Sequence, residues 1–326
     1  MTQVHTPTAE EPSPVDAQGA IELSQRLFRA VSAAVRGKDD VVRLSLVALL
    51  AGGHLLVEDL PGTGKTLLAK SLAASLGGRF GRVQCTPDLL PTDITGTSVF
   101  SPADGSWTFR PGPLFANVLL VDEINRASPR TQAALLEPME EHQVTVDGLT
   151  HRLPDPFFCV ATQNPHGQIG TFPLPESQLD RFALVLSMGL PDRAAEREIL
   201  TGRGGNDVYA GLEPVADPAE VATAVATVHS VYCAPALVEY VLDLTAATRI
   251  HPDLVIGASP RASVGLIQAA RAHAVVSGRE HVTPDDVQAV VGPAFAHRVS
   301  TGGGVDTAAG TAVIADIVAR TAVPRP

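Results

Sequence analysis

The feature that most constrains this chain is a short apolar stretch, residues 54–58, followed by Gly62-Thr63-Gly64-Lys65-Thr66 and then by helix-forming residues as far as Leu76. Strand, glycine-rich turn and helix in that order make a loop whose successive backbone N–H groups face one point, backed by the positive end of the helix dipole. Gly62 and Gly64 permit close approach of a phosphate chain, Lys65 can reach its outer phosphates, and Thr66 can coordinate magnesium. A lysine in the first turn of a helix opposes the dipole unless an anion is bound there. The expected ligands are therefore ATP and Mg2+, held along Asp59, Leu60, Pro61, Gly62, Thr63, Gly64, Lys65 and Thr66. Asp59 is the irregularity, standing where the usual pattern opens with a glycine.

A second apolar stretch, Leu119-Leu120-Val121, ends in Asp122-Glu123. Acids at the buried end of a strand are costly without a cation, so Asp122 is expected to hold the magnesium with Thr66, and Glu123 to polarise the attacking water as general base. Asn164 follows a third strand and can place its amide against the γ-phosphate, because strand ends at one edge of a parallel sheet share a crevice. Arg181 closes a short helix over 175–181, where a cation suits the dipole and Asp180 offers a partner; the sharper reading is an arginine finger. Arg261 opens a helix at Ser259-Pro260, where a cation is disfavoured, so an anion, again phosphate, would explain it.

Strands are expected at 54–58, 79–85, 118–122, 157–162 and 183–187, with helices at 21–35, 39–50, 66–76 and 129–141. Alternation of this kind implies an α/β fold with a mostly parallel sheet covered on both faces. Two hairpins interrupt it, at about 98–110 and 142–153, turning at Ala103-Asp104-Gly105 and at Asp147-Gly148. Beyond about residue 190 Ala-rich amphipathic segments near 218–230, 235–248, 260–276 and 284–291, each opening on a proline, indicate a smaller all-helical domain. The expected division is a flexible tail over 1–18, a core over 19–201, and a linker with helical domain over 202–326, the linker at 202–214 and a flexible joint at 301–304.

The 326 residues carry 24 basic and 35 acidic side chains, a net charge of -11, which would repel a phosphate backbone. Nucleic acid is therefore not the expected partner. Only three of the basic residues are lysines, which makes Lys65 conspicuous. No apolar run approaches the roughly 18 to 20 residues of a membrane span, and the Pro-, Thr- and Glu-rich start is unlike a signal peptide, so a cytoplasmic location is expected. Cys85, Cys159 and Cys233 lack metal-ligand spacing and read as buried thiols.

Together these residues resemble the AAA+ ATPases, and within them the MoxR family. The resemblance rests on Glu58-Asp59-Leu60-Pro61-Gly62-Thr63-Gly64-Lys65-Thr66, with its non-glycine at Asp59, and on Thr86-Pro87-Asp88-Leu89-Leu90-Pro91-Thr92-Asp93-Ile94-Thr95-Gly96. It extends through Asp122-Glu123-Ile124-Asn125-Arg126-Ala127, Ala161-Thr162-Gln163-Asn164-Pro165 and Leu174-Pro175-Glu176-Ser177-Gln178-Leu179-Asp180-Arg181-Phe182. What it implies is an αβα core with a helical lid, in a ring, usually hexameric, with ATP sites between subunits. Arg181 would then act on the neighbour's ATP, Asn164 would be sensor one, and Arg261 sensor two, acting from the lid or in trans. The two hairpins match inserts of the clade that includes magnesium chelatase ATPase subunits. The resemblance also implies chaperone-like remodelling, assembly or activation of a client protein, metal-cofactor insertion included, with a partner carrying a von Willebrand factor A domain.

The main alternative is a DNA-translocating or helicase-like motor, since such motors share both hairpins. It would be expected to carry Lys or Arg at the hairpin tip, yet the tip is Asp147-Gly148, with His142, His151 and Arg152 on its arms. A scaffold that binds ATP without hydrolysis would need a lost catalytic group, whereas Lys65, Asp122, Glu123, Asn164 and Arg181 are all present.

Overall fold

The computed structural model describes residues 17–60, 62–103, 105–164, 170–202, 205–302 and 305–324. The expected tail lies outside them except for Ala17, which is buried, and Gln18, which already opens a helix. Pro61, the hairpin residue Asp104, Pro165 and Gly304 also lie outside the described residues.

Helices α1 (Gln18–Ala34) and α2 (Asp39–Leu50) lead into β1 (His54–Glu58), α3 (Lys65–Ser75) and β2 (Phe80–Gln84). A short α4 (Pro91–Thr95) precedes a hairpin of β3 (Gly96–Ser101) and β4 (Ser106–Pro111). Next come β5 (Val118–Asp122), α5 (Pro129–Ala133), α6 (Leu136–Glu141), a second hairpin of β6 (Gln143–Val146) and β7 (Leu149–Arg152), β8 (Phe158–Gln163), α7 (Glu176–Leu179) and β9 (Phe182–Leu186). The remainder is helical: α8 (Arg193–Leu200), α9 (Asn206–Ala210), α10 (Pro218–His229), α11 (Pro235–Ile250), α12 (Pro260–Val276), α13 (Pro284–Phe295) and α14 (Thr307–Arg320).

Five strands form one parallel sheet in the order β2-β5-β8-β1-β9. Alternate residues of each strand serve two cores, which is why the strands read as continuous apolar runs. Leu55, Val57, Leu120 and Val160 pack with α1, α2, α3 and the C-terminal helices, while Leu56, Leu119, Val121 and Cys159 pack on the side of α4, α6 and the hairpins. The C-terminal helices α10 and α12 lie against α1 and α2, so the N-terminal helices join the sheet to the helical region. No helix among the described residues is long and apolar enough to cross a membrane.

Several local expectations are corrected. The single helix over 129–141 is two, because Pro138 has no N–H to give Ala134 and sits in the first turn of α6, where proline is tolerated. Within the expected linker lies α9, and α8 precedes it; both follow β9 in a stretch whose strand signal has ended. The helix expected at 175–181 spans only Glu176–Leu179, leaving Asp180 and Arg181 in the turn into β9. At the second hairpin Asp147 and Gly148 both adopt positive φ, the tight turn that pair favours. Cys85 and Cys159 are buried free thiols, Cys233 only partly buried.

Two histidines are sealed in these cores as neutral rings. His54 accepts from the Cys159 N–H at Nδ1 and donates from Nε2 to the Met139 carbonyl at 2.9 Å. His297 donates to the Phe182 carbonyl. Burial lowers their pKa values from 6.5 to about 4 and about 3. In the window below 6.5 and above those values the unfolded chain takes up protons that the folded chain refuses, so stability present above 6.5 is lost as the pH falls. The effect is on the order of 3 to 5 kcal/mol per ring across its window. Thermal melts should fall from pH 6.5 towards pH 4, and His54→Gln should flatten that slope; an unchanged slope in the variant would refute the assignment.

Candidate functional site

All five parallel strands end at one sheet edge, where the crevice of an open α/β sheet lies. A cleft of about 590 Å³ opens there, lined by Gly62, Thr63, Gly64, Lys65 and Thr66 on one side and by Asp122, Glu123 and Asn164 on another.

Gly62 and Gly64 take φ of 87° and 99°, values open to glycine and strained for other residues. That curl turns the loop's backbone towards the start of α3. Helix α3, like α1 and α11, has neither a side-chain cap nor an acid in its first turn, but it alone of these three starts at the cleft. A Cβ placed on Gly62 would meet nothing within 4 Å, so the loop faces open space. Lys65 is buried, its Nζ donating to the carbonyls of Asp59 and Leu60 at 2.8 and 2.9 Å. Desolvation lowers its pKa against the opposing pull of Asp59, Asp122 and Glu123. An uncapped helix start, two left-handed glycines and a buried ammonium fit an extended anion.

Asp59, expected among the ligand contacts, is turned away from the cleft. Its Oδ2 accepts from the Gly189 N–H and the Ser187 hydroxyl, and its Oδ1 from the Leu60 N–H. It thereby ties the loop to the end of β9, which a glycine could not do. Leu60 is exposed and also lies outside the lining.

The two acids are oriented by Thr162, a residue without an assigned role in the motif reading. Its hydroxyl donates to Asp122 Oδ1 at 2.7 Å and accepts from the Glu123 N–H at 2.9 Å. Glu123 adopts φ 56°, ψ 50°, a left-handed conformation costing about 1–3 kcal/mol that persists only where surroundings impose it. The cations beside these acids are arginines: Arg82 lies 2.9 Å from Asp122, and Arg126 lies 3.2 Å from Glu123. Asn164 is buried beside them, its carbonyl accepting from the Asn125 amide. Among the described residues no cluster of three or more His, Cys, Asp or Glu could hold a metal by itself. A magnesium ion held by Thr66 and Asp122 would draw further oxygens from its ligand or from water.

Arg181 and Arg261 do not join this cleft. Arg181 pairs with Glu140 at 2.6 Å rather than with Asp180, because the turn after α7 points its side chain towards α6. Within its own chain Arg261 lies beside two carboxylates, Glu140 at 3.1 Å and Asp180 at 3.7 Å.

The far wall of the cleft comes from Ala34, Val35, Arg36 and Lys38 at the end of α1 and just beyond it, and from Pro191, Ile199 and Gly205 around α8. Lys38 Nζ donates to the Leu190 carbonyl at 2.6 Å, and Arg36 pairs with Glu198 at 3.4 Å, clamping the two segments together. Gly37, at φ 68°, lies so close to Ala195 that a Cβ there would sit 2.4 Å from the alanine Cβ. None of these residues carries a motif; Gly37 reads in the sequence only as a helix stop.

Residues 54–184 match the model of the ATPase family associated with various cellular activities (AAA), and residues 246–317 match that of the AAA lid domain. The chain is 46% identical over 263 residues to Bacillus subtilis YeaC, described as uncharacterized, covering 81% of this chain and 82% of that one. To Chaperone MoxR1 of Mycobacterium tuberculosis it is 40% identical over 303 residues, 89% and 80% of the two chains. The crystal structure of a candidate ATPase from Cytophaga hutchinsonii is similar with a TM-score of 0.85 at 31% identity, covering 95% of this chain and 97% of that one. With the core and the lid both matched, and MoxR1 alike along 80% of its own length, the chain belongs to the MoxR family of AAA+ ATPases.

Proposed function

We propose that this chain binds ATP with Mg2+ at the loop of residues 62–66 and hydrolyses it as one subunit of a cytoplasmic ring, using the cycle to remodel or activate a client protein. The reading is carried by one observation, the meeting of Lys65, Thr66, Asp122, Glu123 and Asn164 around a single cleft. Bound magnesium would neutralise charge on the β- and γ-phosphates. Thr66 and Asp122 would hold that ion, and Thr162 keeps the Asp122 carboxylate aligned. Lys65 exchanges its two loop carbonyls for phosphate oxygens. Glu123 orients the attacking water and takes its proton, while the Asn164 amide holds the γ-phosphate in line. Val35 and Ile199 offer the apolar wall that a flat base needs.

The ring reading draws support from the placement of Arg181 and Arg261 away from their own cleft. A hexamer, a partner with a von Willebrand factor A domain and metal-cofactor insertion into the client are parts of the same proposal, supported by the family resemblance alone.

Lys65→Ala tests the binding step. Removing the one buried ammonium at the loop should weaken binding of a fluorescent ATP analogue, with magnesium, at least about tenfold, the cost of one charge-assisted hydrogen bond in affinity. Unchanged affinity would place the nucleotide elsewhere.

A further inference from the structure

Away from the cleft, five charged side chains from different parts of the chain converge. Glu140 stands at the end of α6, Asp180 and Arg181 in the turn between α7 and β9, Arg261 in the first turn of α12, and Arg298 just beyond α13. Glu140 is the centre: its Oε2 accepts from Arg181 Nη2 at 2.6 Å and its Oε1 from Arg261 Nη1 at 3.1 Å. Asp180 makes a second tie, lying 3.7 Å from Arg261 Nε and 2.9 Å from Arg298 Nε. Arg298 is buried and donates to the carbonyls of Asp180 and Phe182, fixing the base of the group to the sheet.

Two properties stand out. Three arginines face two carboxylates, so the group keeps a surplus positive charge, suited to an anion supplied from outside the subunit. Glu140 also spans both parts of the protein, since Arg181 belongs to the sheet region and Arg261 to a lid helix. A free arginine samples many rotamers, and holding it ready before the reaction removes that ordering cost from the transition state.

We propose that Glu140 is a positioning residue whose single carboxylate holds the core arginine Arg181 and the lid arginine Arg261 at a fixed separation, so that both meet the same neighbouring nucleotide. The proposal rests on the interface reading of Arg181 given above. The Arg181 guanidinium, with a smaller contribution from Arg261, holds the Glu140 carboxyl below the usual carboxylate range, so the pair stays charged at neutral pH. Because Glu140 is substantially exposed, its ion pairs contribute little to folding. Its loss should therefore register in catalysis rather than in stability.

Steady-state ATPase assays on the full chain, comparing wild type with Glu140→Gln, Glu140→Asp, Arg181→Ala and the Glu140→Gln/Arg181→Ala pair, test this. Glu140→Gln should lower kcat about tenfold or more, the usual effect of a misplaced catalytic group, with the binding constant for a fluorescent ATP analogue and the melting temperature unchanged. Glu140→Asp, which keeps the charge, should recover much of the rate. In the Arg181→Ala background Glu140→Gln should cost little more, since both act through one interaction. Wild-type or higher activity in Glu140→Gln alongside a crippled Arg181→Ala would overturn the role of Glu140 alone, as would penalties that multiply in the double variant. An active Arg181→Ala would overturn the interface reading, and this proposal with it.

Discussion

Replacement of Glu123 by Gln should slow phosphate release by about 10²- to 10⁴-fold, the range of a lost general base, while ATP binding is retained. The substitution keeps the size and shape of the side chain and removes only its ability to accept a proton. Two features single out this carboxylate from the others near the cleft. Its backbone is held in the left-handed region through the Thr162 hydroxyl, a conformation that turns the chain sharply after β5. Its ion pair with Arg126 is partly solvated and therefore weak enough to yield to a water molecule. Asp122, by contrast, has its carboxylate aligned by the Thr162 hydroxyl and suits a fixed ligand role. Turnover at saturating ATP, measured beside affinity for ATP, separates the two acids, and equal turnover in the variant would remove Glu123 from this role.

What was legible in the sequence was local. The apolar runs of β1, β5 and β8 needed no context, because burial on both faces leaves no polar alternation to misread. The glycines at 62 and 64 and the Asp147-Gly148 turn each carry their geometry in the residue type. What escaped depended on contacts between distant segments. The far wall of the cleft unites Ala34, Val35, Arg36 and Lys38 with Pro191, Ile199 and Gly205, and no pattern within either segment announces the other. Thr162 looks like any strand threonine until β8 is paired with β5 and its hydroxyl falls between Asp122 and the Glu123 N–H. Asp59 reads as a defective motif position, and only its bond to Gly189, 130 residues away in the chain, makes it a brace. The same holds for charge: helix-dipole reasoning asked for an anion at Arg261, and tertiary packing supplied Glu140, 121 residues distant.

Arg181→Ala should reduce turnover about 10³-fold, the lower bound for an arginine that stabilises charge on a transferring phosphoryl group, and its effect should be transferable between subunits. The side chain lies outside the cleft of its own chain, on the face shared with Glu140 and Arg261. In the proposed ring that face would meet the next subunit, so each site would join one subunit's Glu123 to its neighbour's Arg181. Arg181→Ala and Glu123→Gln subunits are then defective in opposite halves of the site. When the two are mixed under conditions that allow exchange, an Arg181→Ala cleft beside a Glu123→Gln neighbour regains both groups. Random assembly makes about a quarter of the sites complete, so an equal mixture of two nearly inactive proteins should recover activity far above either parent. Were Arg181 to act within its own chain, every site in the mixture would lack one of the two groups and the activity would stay at the parental level.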